Sequence, residues 1–212
     1  MHFFIQYLWE NPRFFLSWML FVVFSICLHE FMHAYIALKE GDDTAARLGH
    51  LTLNPLKQMG IFSLIMLILI GFCWGRVPVD PRNFRRKNSD LYVSLAGPLT
   101  NLGLFLIFGL IVGTAFKFFP EQLDGERGGF FVSMFFNGSM MNMVLFIFNM
   151  LPVPGFDGFG VIHSLLPQNF KDTEFFKGAS IVIIMLAFVF SDKLFYAGQK
   201  ATYILINLVV NL

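Results

Sequence analysis

Apolar residues along this chain gather into long runs rather than alternating singly with polar ones. Three runs, Phe14 to Leu38, Leu91 to Phe119 and Phe130 to Leu151, each exceed the roughly 20 residues that a helix rising 1.5 Å per residue needs to cross a hydrocarbon core. They predict three membrane-crossing helices. A fourth apolar region, Ala179 to Leu212, is interrupted by Ser191, Asp192 and Lys193, which predicts a short helix, a tight turn and a second helix. The segment Ile61 to Trp74 is apolar for only about 14 residues, a length that suits a re-entrant or interfacial piece better than a full crossing. On either side of it, Leu48 to Leu53 and Arg76 to Asp80 place Leu51 and Leu53, and Val77 and Val79, at alternate positions, predicting two short strands in a small hairpin. The expected fold is an all-α polytopic membrane bundle with a three-helix core, a re-entrant or short extra segment and that hairpin. No repeat, low-complexity tract or long linker divides residues 1–212, so a single membrane-embedded domain is expected, with its core over about 14–160 and its C-terminal helices over about 179–212.

Composition agrees with lipid as the solvent: 56% of the 212 residues are hydrophobic, 17% aromatic and only 14% charged, outside the range of ordinary soluble domains. The formal net charge is +1, and the basic residues sit in loops rather than along a helix face, which argues against a nucleic-acid partner. Cys27 and Cys73 lie inside apolar runs and outside any C-x-x-C pair, so neither a disulfide framework nor a cysteine metal site is expected. The run after Arg13 is followed by no small-residue cleavage site, so it is expected to be a retained span and not a signal peptide.

Charge also orients the chain. If Ile61 to Trp74 dips in and returns, then Lys39, Arg47, Lys57, Arg76, Arg82, Arg85, Arg86 and Lys87 share one side. Loops rich in Lys and Arg beside spans mark the cytoplasmic face. The next loop carries Glu121, Asp124 and Glu126 against Arg127, and the loop after it carries Lys171 and Lys177, so the bias alternates. Full crossing of the short segment would dilute this asymmetry, which favours re-entry and a cytoplasmic basic face.

Within the first span stands His29-Glu30-Phe31-Met32-His33. Histidines four residues apart lie one turn apart on one helix face, so both imidazoles can reach one zinc ion. Glu30 beside them can take a proton from an attacking water and pass it to the leaving amine. An ionisable trio inside an apolar span is costly unless it is paired or functional. Two histidines need a third ligand, and His50, His163, Asp80, Asp90, Asp157, Asp172, Asp192, Glu121, Glu126 and Glu174 are the downstream candidates. Asp157 stands out: it ends a long apolar span inside Asn149-Met150-Leu151-Pro152-Val153-Pro154-Gly155-Phe156-Asp157-Gly158. Its prolines and glycines break the helix at a depth where irregular backbone is tolerated only around a cavity.

These residues resemble the site-2 protease family of intramembrane zinc metalloproteases, in its compact bacterial form. The His29 to His33 motif looks like that family's zinc helix, with Glu30 as the general base. Asn149 to Gly158 looks like its N-x-x-P-x-P-x-x-D-G motif, which makes Asp157 the third ligand. Gly97-Pro98-Leu99-Thr100-Asn101-Leu102-Gly103 looks like its G-x-x-x-N-x-G segment. Leu48 to Pro55 is similar to a stretch of compact bacterial members, although the family has Arg where His50 stands. The resemblance spans about Phe14 to Gly160. It implies one Zn2+ per chain, Asn101 and Asn149 as substrate-binding residues, a transmembrane protein substrate in the lipid bilayer, and a bacterial cell membrane with the site toward the cytoplasm. Amide side chains at that depth can donate to and accept from an unwound peptide, and they can equally bond helix to helix.

Two other readings compete. A prenyl-protein type of membrane protease would take a downstream glutamate as third ligand, and beyond Glu126 only Glu174 is available. A zinc transporter or an inactive relative would need the ligands but not Glu30.

Overall fold

A computed structural model of the chain describes residues 3–165 and 189–212. After a 3-10 turn at Phe4–Gln6 come α1 (Tyr7–Glu10), α2 (Pro12–Glu40), α3 (Thr44–Arg47), α4 (Pro55–Gln58) and α5 (Gly60–Ile70). They are followed by α6 (Ser89–Phe118), α7 (Glu126–Asn149), α8 (Asp157–Leu165) and α9 (Ser191–Asn211). Helices α2, α6 and α7, of 29, 30 and 24 residues, are long and apolar enough to cross a membrane; α2 contains the first predicted span, and α6 and α7 cover the other two except Phe119 and Met150 to Leu151. Asn11 starts α2 by accepting from the Phe14 N–H, with Pro12 in the first turn where its missing N–H costs nothing. The first predicted C-terminal helix, its loop lysines and the candidates Asp172 and Glu174 lie outside the described residues. The second is α9, which begins at Ser191.

Helix α6 touches α2, α7, α8 and α9. Lipid tails are as apolar as leucine, so close backbone approach and buried polar contacts, not water exclusion, hold such helices together. The small residues accordingly line the seams. Gly109 and Gly113, four apart on α6, face Leu205 and Val209 of α9, and Gly138 of α7 faces the Phe21 ring. Ser139 of α7 donates to the Phe105 carbonyl of α6 at 2.9 Å. Phe21 packs edge-on against Phe108 at 4.8 Å and Phe135 at 5.6 Å, which ties α2, α6 and α7 into one core. A second cluster joins Val22, Ile26 and Cys27 to Leu67 of α5 and to Met141 and Val144 of α7.

Helix α5 has 11 residues, about 16 Å of rise against a hydrocarbon core of about 30 Å. Gly71 ends it in the left-handed conformation at φ 77° and turns the chain back. The return is held by the Ser63 hydroxyl, which donates to the Trp74 carbonyl (2.6 Å) and accepts from the Trp74 N–H (2.8 Å). At its foot the Arg76 N–H donates to the Gln58 carbonyl at 3.0 Å. The entry and exit of this segment are therefore neighbours.

The predicted hairpin is a correction: no strand occurs among the described residues. Leu48 to Leu53 is a turn with Gly49 at φ 77°. Its carbonyls go to a side chain instead of a ladder, since Gln58 Nε2 donates to the His50 and Thr52 oxygens at 2.8 and 2.6 Å. Arg76 to Asp80 is irregular, Pro78 carries no N–H for a ladder, and the segment ends on Asp42, which accepts from the Asp80 N–H at 2.7 Å.

Candidate metal centre and active site

His29, Glu30 and His33 occupy consecutive turns of α2 and are all buried, about 10–16 Å along the axis from the Glu40 end. Asp157 is the first residue of α8. The helix-breaking stretch after Asn149 delivers it: Val153, fully buried, anchors the turn, Gly155 adopts φ 97°, and Gly158 lets the chain pass the Met150 and Leu151 carbonyls. His29 Nε2 lies 3.0 Å from Asp157 Oδ2, His33 Nε2 3.2 Å from Asp157 Oδ1, and the two Nε2 atoms are 3.0 Å apart. Of the third-ligand candidates among the described residues, Asp157 is the one brought to both histidines. His50 and His163 stand elsewhere, the latter against the Phe159 ring.

The protons decide what this triangle is for. His33 Nδ1 is 2.7 Å from the Val93 carbonyl, which can only accept, and His29 Nδ1 is 2.6 Å from Asn101 Oδ1. With Nδ1 donating in this way, each ring turns its Nε2 inward, where the neutral imidazole offers a lone pair. Asp157 adds two carboxylate oxygens, of which the buried Oδ2 has only His29 Nε2 beside it among the described residues. Unprotonated, three such lone-pair donors 3.0–3.2 Å apart would repel unless a cation lay between them. Donors around a tetrahedral zinc at 2.0–2.1 Å stand about 3.3 Å apart, so the set suits zinc.

Two glycines shape the surroundings, and the motif spacing alone points to just one of them. Gly97 of α6 faces the histidines, where a methyl group would come within 2.3 Å of His33 Nε2 and 2.4 Å of His29 Nε2. Gly75 faces Glu30, where a methyl would stand 2.4 Å from its carboxylate. The segment returning from α5 thus passes directly over Glu30, whose carboxylate accepts no hydrogen bond among the described residues. Asn101 is fully buried and bonded to His29. Asn149 is the last residue of α7, half-buried, with no described hydrogen bond to its amide.

On the basic face, Arg86 pairs with Glu40, which also accepts from Ser89 at 2.6 Å. Fully buried Asp42 accepts from the Thr44 hydroxyl and N–H (the latter 3.1 Å), Asn83 Nδ2 (2.9 Å) and the Asp80 N–H. Burial is the largest influence on the Asp42 carboxyl and raises its pKa, but these hydrogen bonds together outweigh it and hold the group below the usual carboxylate range.

Comparison with known proteins agrees with this geometry. The profile of peptidase family M50 matches residues 17–191. YwhC of Bacillus subtilis is 38% identical over 153 residues, covering 71% of this chain and 69% of the relative. Rip2 of Mycolicibacterium smegmatis is 34% identical over 172 residues, and Rip2 of Mycobacterium tuberculosis 31% over 173, covering 76% and 78% of this chain and 63% of each relative. All three carry zinc metalloprotease in their names. No solved structure matches the chain significantly. With the matched region containing all three motifs and the chain's apolar helices making it a multi-pass membrane protein, this chain belongs to peptidase family M50, the site-2 proteases, and is a zinc metalloprotease.

Proposed function

We propose that His29, His33 and Asp157 hold the zinc, that Glu30 is the general base, and that the substrates are membrane-anchored proteins cut at bilayer depth near the cytoplasmic face. The observation that carries this reading is the triangle of lone pairs His29 Nε2, His33 Nε2 and Asp157, with Glu30 one residue from the first ligand on the same helix. Zinc supplies Lewis acidity there, polarising the scissile carbonyl and acidifying the attacking water. Glu30, which accepts no hydrogen bond from the described residues, takes the proton of that water and returns it to the departing amide nitrogen. The imidazoles, locked by Asn101 and Val93, keep their lone pairs inward throughout. Asn149, its amide free of described partners, is the residue of the two predicted substrate contacts with donors and an acceptor to offer a peptide. Asn101 is committed to His29, which supports a role in holding that ring.

The neighbouring ends of the α5 segment support re-entry. With both ends on one side, Lys39, Lys57, Arg76 and the Arg82 to Lys87 cluster share the face nearest the metal centre, as a cytoplasmic orientation requires. The 1–212 chain then acts as one membrane domain.

The test compares wild type, Glu30→Gln and Asp157→Ala for zinc content and for cleavage of a single-span substrate in liposomes. Glu30→Gln should keep zinc and lose cleavage by at least about 100-fold, and Asp157→Ala should lose zinc. Cleavage by Glu30→Gln at the wild-type rate would overturn the assignment of the base, and full zinc content in Asp157→Ala that of the third ligand.

A further inference from the structure

A histidine facing an amide is ambiguous in a way that one facing a carbonyl is not. His33 Nδ1 meets a backbone oxygen and must donate. His29 Nδ1 meets Asn101, whose amide offers an oxygen on one side and an NH2 on the other. Turned the other way, Asn101 would donate to His29 Nδ1, move the imidazole proton to Nε2 and cap the lone pair that the metal needs.

The direction is set two residues further away. Asn101 Nδ2 is 3.0 Å from Asn142 Oδ1, and Asn142 Nδ2 is 2.9 Å from the Gly138 carbonyl and 2.9 Å from Ser25 Oγ. A backbone carbonyl can only accept, so the Asn142 group beside it is the NH2. Its oxygen must then face Asn101, Asn101 must present its NH2 to Asn142, and the Asn101 oxygen is left for His29. Asn101, Asn142 and Ser25 are all fully buried, closed off from bulk solvent. The network spans α2, α6 and α7, so one carbonyl on α7 dictates where the proton sits on a ring of α2.

We propose that Asn142 is a positioning residue of the metal centre: through Asn101 it fixes His29 as the Nδ1–H tautomer and so keeps Nε2 open for zinc. It touches neither zinc nor substrate. The proposal rests on His29 being a ligand, and outer-shell partners that fix a ligand's tautomer typically matter 10- to 100-fold in metal affinity.

The experiment measures zinc affinity by chelator competition on the full chain in detergent, together with the His29 tautomer by 15N NMR of the metal-free protein, which has five histidines. Asn142→Leu, similar in size and apolar, should bind zinc about 10- to 100-fold more weakly and show a His29 signal shifted from the Nδ1–H toward the Nε2–H form. Ser139→Ala, in the same buried seam of α7 but outside the relay, should change neither. A carboxylate has no donor face, so Asp at 101 needs no steering, and Asn101→Asp combined with Asn142→Leu should regain most of the lost affinity. Wild-type affinity and tautomer in Asn142→Leu would overturn the proposal. So would a double variant as weak as Asn142→Leu alone, since the defect would then be packing. Undiminished zinc binding in His29→Ala would instead remove the underlying ligand assignment.

Discussion

Gly97→Ala is the smallest change that should disable the metal centre. The added methyl would stand 2.3 Å from His33 Nε2 and 2.4 Å from His29 Cε1 and Nε2, against the 3.5–4.0 Å at which such atoms rest, so about 1 Å must be found. The rings cannot easily yield it, because their Nδ1 atoms are held at 2.6 and 2.7 Å by Asn101 and Val93. Helix α6 cannot easily move out either, because its Gly109 and Gly113 are seated against α9. Overpacking of this kind costs about 1–3 kcal/mol, and if it is relieved by splaying the ligands it weakens zinc about 5- to 150-fold. Zinc sites tolerate ligand shifts of only about 0.2 Å, so the upper end is expected. Chelator competition and liposome cleavage would measure it. Gly103→Ala is the control, since nothing lies within 4 Å of a methyl there and alanine suits a helix better by about 1 kcal/mol. Wild-type zinc affinity and cleavage in Gly97→Ala would refute the view that bare α6 backbone makes room for the site.

Gly75→Ala should separate base from metal: its methyl would stand 2.4 Å from the Glu30 carboxylate, and its three nearest neighbours would all be Glu30 atoms, so cleavage should fall at least tenfold while bound zinc stays unchanged. Gly113→Val should push α9 off α6, because even a Cβ there would lie 2.7 Å from Val209, and a loss of about 1–3 kcal/mol should appear as a lower unfolding midpoint in detergent. Asp42, with its folded pKa held below the ordinary value, stabilises the Asp80 to Asn83 clamp above the unfolded carboxylate pKa of about 4 and loses that contribution as pH falls further. Hydrogen exchange over residues 78–84 should therefore be flat from pH 7 to 5 after correction for intrinsic rates and accelerate below pH 4, whereas Asp42→Asn should exchange fast at every pH.

Much of this protein is legible in one dimension because its determinants are local. Span length follows from residue count, and His29, Glu30 and His33 share a helix face through the 3.6-residue turn alone, which is why α2, α6, α7 and the first two proposed ligands emerge from the sequence. The brevity of α5 follows from the same count. Asp157 is singled out in the sequence as a carboxylate in a proline-broken segment, but its approach to both histidines is a distance between α8 and α2, which only packing creates. The hairpin failed for a related reason: alternation at Leu51 and Leu53 describes a pattern, whereas the partner for those carbonyls proved to be the Gln58 side chain. Gly97 and Gly75 look like any helix or loop glycine until α6 and the returning segment are laid against the histidines and Glu30. The proton on His29 is the most remote case, because it depends on amides from α6 and α7 that are 41 residues apart. Periodicity along a chain places a side chain on a face; which atoms meet, and which of them must donate, is decided where separate helices converge.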